Sequence, residues 1–146
     1  MILVSVIITA IVISAALYVF DKCKRKDDHG VPTTFRCGLS GYFQVPPVQT
    51  QATGTATLKL DNVAKTFTLK VNYEGLTPTA AHIHRAAKGE NGPVVIPLIV
   101  GPSPMIYMSA PLTSAEEADL KNGLYYVNIH TEAYPNGEIR GQLIQL

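Results

Sequence analysis

Two histidines one residue apart, His82 and His84, stand in the stretch AAHIHRAAKGENGPVV at residues 80–95. On a strand, residues i and i+2 share a face and are separated by about 6.5–7 Å, so both imidazoles point one way while Ile83 points the other. Neutral imidazole nitrogens at roughly 2 Å from an ion suit zinc or copper. The pair can therefore begin a metal site, but a third donor is needed. The stretch YYVNIHTEAYPNGEIRGQL, residues 125–143, offers one in His130. With Ala133–Gly137 as a hairpin loop, Glu132 pairs with Glu138 and His130 with Arg140. Alternation then puts Tyr126, Asn128 and His130 on one face and Tyr125, Val127 and Ile129 on the other. His82, His84 and His130 are the candidate metal ligands. The same residues also read as ordinary polar positions on half-exposed strands, with His130 and Arg140 a cross-strand pair that offsets the like charges of Glu132 and Glu138.

These side chains need strands to carry them. TGTATLKL (residues 53–60) and KTFTLKVNY (residues 65–73) alternate small or apolar with polar residues around an Asp61-Asn62 turn and read as a hairpin. Further strands are expected at TFRCGLSG, AAHIHR, PVVIPLIV, LYYVNIHT and EIRGQLIQL, with Asn91-Gly92 and Asn136-Gly137 as turns. Short strands at this spacing predict an all-β Greek-key sandwich or barrel. One segment departs from the pattern: LTSAEEADLKNG, residues 112–123, has Thr113 or Ser114 as N-cap, Glu116 and Glu117 in the first turn and Gly123 as a stop, and predicts a short structural helix. The glycines of AAKGENGPVV lack the following helix and the spacing of a phosphate loop, which argues against a nucleotide. No serine or cysteine has the context of a nucleophile, and Tyr42, Tyr125 and Tyr126 read as packing residues.

A net charge of +1 with 47% hydrophobic and 16% charged residues suits one folded domain and gives no basic, aromatic-interleaved face for nucleic acid. Part of the apolar content is concentrated in ILVSVIITAIVISAALYVF, Ile2 to Phe20, which carries no charge. As a helix it reaches roughly 28 Å, close to the hydrocarbon core of a bilayer. Nothing basic precedes it, and the small-residue cleavage candidate Ser14-Ala15-Ala16 lies inside it, so a retained single-pass anchor is expected over a cleaved signal. The expected organisation is an anchor over 1–20, a juxtamembrane linker over 21–32 that contains His29 as a solvated residue, and a β-domain over 33–146. Lys22, Lys24, Arg25 and Lys26 favour a cytoplasmic domain by the positive-inside rule. Cys23 and Cys37 fit one disulfide or two free thiols, and Cys23 is also placed for acylation.

LSGYFQVPPVQTQATGTATLKLD, AAHIHRAAKGENGPVV and NGLYYVNIHTEAYPNGEIRGQL, three blocks in order, together resemble the CHRD domain, the module named after chordin. The resemblance covers residues 34–146 and implies an extracytoplasmic domain, which outweighs the basic flank, and a protein-binding role of the kind chordin has toward growth factors. A second, more distant similarity concerns the site. His-x-His on one strand of a Greek-key barrel, with a late VNIH strand followed by an arginine, is similar to the copper half of Cu,Zn superoxide dismutases. That similarity implies His82, His84 and His130 as copper ligands and Arg140 as a guide for anionic substrate. The histidines and aspartate of the family's zinc-bridged site have no counterpart here, which leaves a mononuclear centre. The expectation is a membrane-anchored CHRD domain with a mononuclear copper site for copper binding or superoxide-type redox chemistry; the alternative is a non-catalytic protein-interaction module without metal.

Overall fold

The computed structural model describes residues 30–146. The expected anchor, residues 21–29 of the linker, Cys23 and His29 lie outside the described residues. The described residues form nine strands and one α-helix: β1 (Thr33–Ser40), β2 (Thr53–Leu60), β3 (Phe67–Glu74), β4 (Ala80–Arg85), β5 (Val94–Leu98), β6 (Met105–Met108), α1 (Ser114–Lys121), β7 (Tyr125–His130), β8 (Ile139–Gln142) and β9 (Ile144–Gln145). All pairings are antiparallel, in the order β5-β4-β7-β8-β1-β2-β3-β6, with β9 also beside β1. A single bridge, Ser40 opposite Arg140, joins β1 to β8. The sheet therefore wraps into a nearly closed barrel whose free edges are β5 and β6.

Inward positions form one core. Phe35 and Leu39 of β1, Leu58 and Leu60 of β2, Leu69 of β3, Ile83 of β4, Val127 and Ile129 of β7 and Ile139 of β8 are all buried in it. Each such side chain contributes roughly 1.5–3 kcal/mol by leaving water. Residues 53–60 and 65–73 form the expected hairpin, in register from Leu60 opposite Phe67 to Thr53 opposite Glu74. Asp61 turns the chain by accepting from the backbone N–H of Val63 and Ala64, both at 2.8 Å. The helix has the expected cap: Thr113 Oγ1 accepts from Glu116 N–H at 3.2 Å, and Glu116 accepts from Thr113 N–H at 2.7 Å.

Two sequence expectations are corrected. The C-terminal hairpin pairs Asn128 with Arg140 and Ile129 with Ile139, so neither His130–Arg140 nor Glu132–Glu138 is a pair. The slip from the expected register is two residues, which changes partners but keeps every side chain on its face. Glu138 is buried instead, accepting from Thr50 Oγ1 and Thr131 Oγ1 at 2.6 Å each. EIRGQLIQL is two strands, because Leu143 turns into the core between β8, which pairs with β7, and β9, which pairs with β1. Met105–Met108, a short strand absent from the expected set, pairs with β3. Pro97 is tolerated in β5 because β5 is an edge strand.

Candidate metal centre

The histidines sit on the outer face of the barrel, opposite the core. On β4, Ala81 and Ile83 point inward and His82 and His84 outward; on β7, Val127 and Ile129 point inward and Tyr126, Asn128 and His130 outward. Register places His82 opposite Asn128, His84 opposite Tyr126, and Ala80 opposite His130. His130 is thus diagonal to His82, and His82 Nδ1 lies 3.0 Å from His130 Nε2. One nitrogen from each of His82, His84 and His130 falls within 4.8 Å of the others. Two ligands held about 2 Å from one tetrahedral ion stand roughly 3.3 Å apart, so a shared ion asks the widest pair to close by up to about 1.5 Å.

Loops decide which nitrogens face inward to that point. His84 Nδ1 meets the carbonyl of Gly92 at 2.9 Å, and His130 Nδ1 meets that of Pro135 at 2.9 Å. A carbonyl can only accept, so each Nδ1 carries the proton and each neutral ring keeps its lone pair on Nε2. His130 Nε2 then accepts from His82 Nδ1–H. His84 Nε2 is buried and has no partner among the described residues, a costly state for an acceptor. Burial, followed by the neighbouring His130 and His84, lowers the pKa of His82. Burial also lowers that of His84, with the Gly92 hydrogen bond opposing and His130 and Arg140 adding to the effect. Both rings are therefore held in the neutral form that metals require.

The loop between β4 and β5 is fastened from several sides. Arg85 N–H donates to Pro93 O at 3.1 Å, Ala86 N–H to Leu124 O at 2.9 Å, and Gly92 N–H to the Tyr126 hydroxyl at 3.1 Å. A Cβ at Gly92 would run into the Arg85 carbonyl, so the loop can close this tightly only with glycine there. Arg140, 2% exposed, donates to Asn91 Oδ1 at 3.1 Å and to Glu90 O at 2.7 Å. Its guanidinium carbon lies 3.5 Å from the centre of the Tyr126 ring, and the His84 ring stacks on the same tyrosine at 4.9 Å and 10°. Two flat groups of that size cannot share one face, so Tyr126 is sandwiched between His84 and Arg140. The structure thus brings His82, His84 and His130 together and places Arg140 behind Tyr126. Tyr126, read from sequence as packing, and Gly92 and Pro135, read as turn residues, are the supports that sequence reasoning missed. The Asn91-Gly92 turn and the Ala133–Gly137 hairpin loop were the signals that pointed toward Gly92 and Pro135.

The family model of the CHRD domain matches residues 35–143. The chain belongs to the CHRD domain family. No curated protein and no solved structure matches it. The match runs from β1 through Leu143, so both histidine-bearing strands and the two loops that orient His84 and His130 belong to the CHRD domain itself.

Proposed function

We propose that His82, His84 and His130 of this CHRD domain hold one copper ion. The observation that carries this reading is the buried, unpartnered His84 Nε2, beside a His82 Nδ1–His130 Nε2 hydrogen bond of 3.0 Å that an ion would replace, with the His82 proton passing to its own Nε2. The donor set is all imidazole, with no carboxylate or thiolate in the cluster, which disfavours calcium and magnesium. Between the two common imidazole-bound metals, a given site binds copper(II) more tightly than zinc. Bound there, copper would supply one-electron redox chemistry toward a small oxygen species. In this reading the chain's own residues have distinct tasks. Gly92 and Pro135 set the tautomers of His84 and His130, Tyr126 supports the His84 ring, and Arg140 acts as a positioning residue through Asn91 and Glu90, in place of the anion-guiding role that the dismutase similarity implies.

The test is copper and zinc content of the full-length chain beside the variant His82→Ala/His84→Ala/His130→Ala. The expected result is about one copper per chain at saturation, as a three-nitrogen centre requires, with nitrogen hyperfine structure in the Cu(II) spectrum and loss of both in the variant. Equal copper in the two proteins would overturn the proposal, and so would none in either; the protein-interaction reading would then take its place. With copper bound, superoxide turnover above that of a free-copper control separates an enzyme from a copper carrier.

A further inference from the structure

Arg140 has a second exposure to chemistry, on the side away from the histidines. A cavity of about 380 Å³ opens on the outer face of β1, β8 and β9, with Arg36, Lys88, Arg140, Tyr42, Phe43 and Ile144 among its lining residues. That volume falls within the range of small-molecule sites, about 300–1,000 Å³. Three features mark it as more than a surface dent. Its lining holds three cations and no carboxylate. None of the three is in an ion pair, since the ion pairs among the described residues are Lys65–Glu117, Arg85–Asp119 and Lys121–Glu117. Arg140 is buried yet uses only two of the five N–H donors of a guanidinium, and a buried charge without a counter-charge costs free energy that a bound anion would recover. Beside these cations, Tyr42 at 77% exposure, Ile144 at 51% and Phe43 at 43% present apolar surface to solvent.

We propose that this cavity is a binding site for a small organic anion, its carboxylate-like head held by Arg36, Lys88 and Arg140 and its apolar body laid against Tyr42, Phe43 and Ile144. The charge pattern selects the head and the exposed rings select the body. None of the three histidines lines the cavity, and Arg140 is the one residue this site shares with the copper reading, so the test turns on Arg36 and Lys88.

The test is calorimetric titration of the full-length chain with 2-naphthoate and with octanoate, each against its uncharged alcohol, 2-naphthalenemethanol or 1-octanol. EDTA is present throughout, so that an anion coordinated to a metal cannot contribute. At least one acid is expected to bind one-to-one and roughly ten-fold tighter than its alcohol, the margin of one charge-assisted hydrogen bond. Arg36→Gln and Lys88→Gln, both at exposed positions where folding is not at stake, are expected to weaken the acid several-fold and leave the alcohol unchanged. The triple-alanine histidine variant is expected to bind the acid as the parent does, so that loss of copper and loss of the anion site remain separate results. Equal affinity for acid and alcohol, no effect of either substitution, or no saturable binding of either acid up to about 1 mM, the weak end of specific binding, would overturn the proposal.

Discussion

Nδ1 of His84 and Nδ1 of His130 each face a backbone carbonyl, and this contact alone decides where the lone pair of each ring is left. The consequence for the metal-free chain is a pH dependence of stability. The pKa values of His82 and His84 are lowered in the fold, so below about 6.5, the ordinary histidine value, the unfolded chain binds more protons than the folded one. The stability these rings contribute is fully present above that pH and is lost as pH falls through their lowered values. Urea midpoints of the metal-free chain are expected to fall between about pH 7 and pH 5, a window above the usual carboxylate range, and the triple-alanine variant is expected to show a flatter profile. A midpoint that rises toward pH 5 in the parent would contradict the lowered values. Cys37 stands apart from this chemistry: it is a free thiol packed against the core, and burial pushes its pKa up to about 12, far from the thiolate form that reactivity needs.

At the scale of elements, the loop between β4 and β5 joins the parts. It receives Arg140 at Glu90 and Asn91, donates from Gly92 to Tyr126, and presents the Gly92 carbonyl to His84. Asn91 also donates to Val45 O at 2.8 Å, which ties this loop to the segment after the short 3-10 turn Gly41–Phe43. Gly92→Ala forces a Cβ against the Arg85 backbone, so the loop must shift and take the Gly92 carbonyl with it. The expected outcome is a stability loss of about 1–3 kcal/mol together with a roughly 10–100-fold weaker copper affinity, the usual size of losing a partner that orients a ligand. Denaturant titration and competitive copper titration measure the two separately. If copper affinity stays at the parent value while stability drops, the carbonyl does not orient His84.

At the scale of the whole molecule, the site is the outside of a wall whose inside is the core. His130 follows Ile129, which is fully buried, and His82 precedes Ile83, which is equally buried. Ile129→Ala is expected to cost about 2–5 kcal/mol, the range for a large aliphatic side chain removed from a packed core. If the three histidines hold copper as proposed, metal binds only the folded wall, and excess copper is expected to restore part of that loss in urea titrations. It should restore none when Ile129→Ala is combined with the three histidine substitutions. Equal recovery in both backgrounds would mean that copper acts elsewhere on the chain.

The sequence by itself determined the faces and the local stops. Alternation is set by backbone geometry, so His82 and His84 could be placed together, with Tyr126, Asn128 and His130 on the polar face of their own strand, before any pairing was known. The Thr113–Glu116 cap and the Asp61 turn are likewise short-range hydrogen bonds that a few residues specify. Membership of the CHRD family was legible for the same reason, from blocks of contiguous residues. Tertiary structure decided what depends on distant partners: the two-residue shift that pairs Asn128 with Arg140, the burial of Glu138 between Thr50 and Thr131, and the turn of Leu143 into the core. It also decided that Arg140 lies behind Tyr126 and beside a cavity. Those outcomes come from packing and hydrogen-bond satisfaction across strands far apart in the chain, and no local pattern of residue types encodes them.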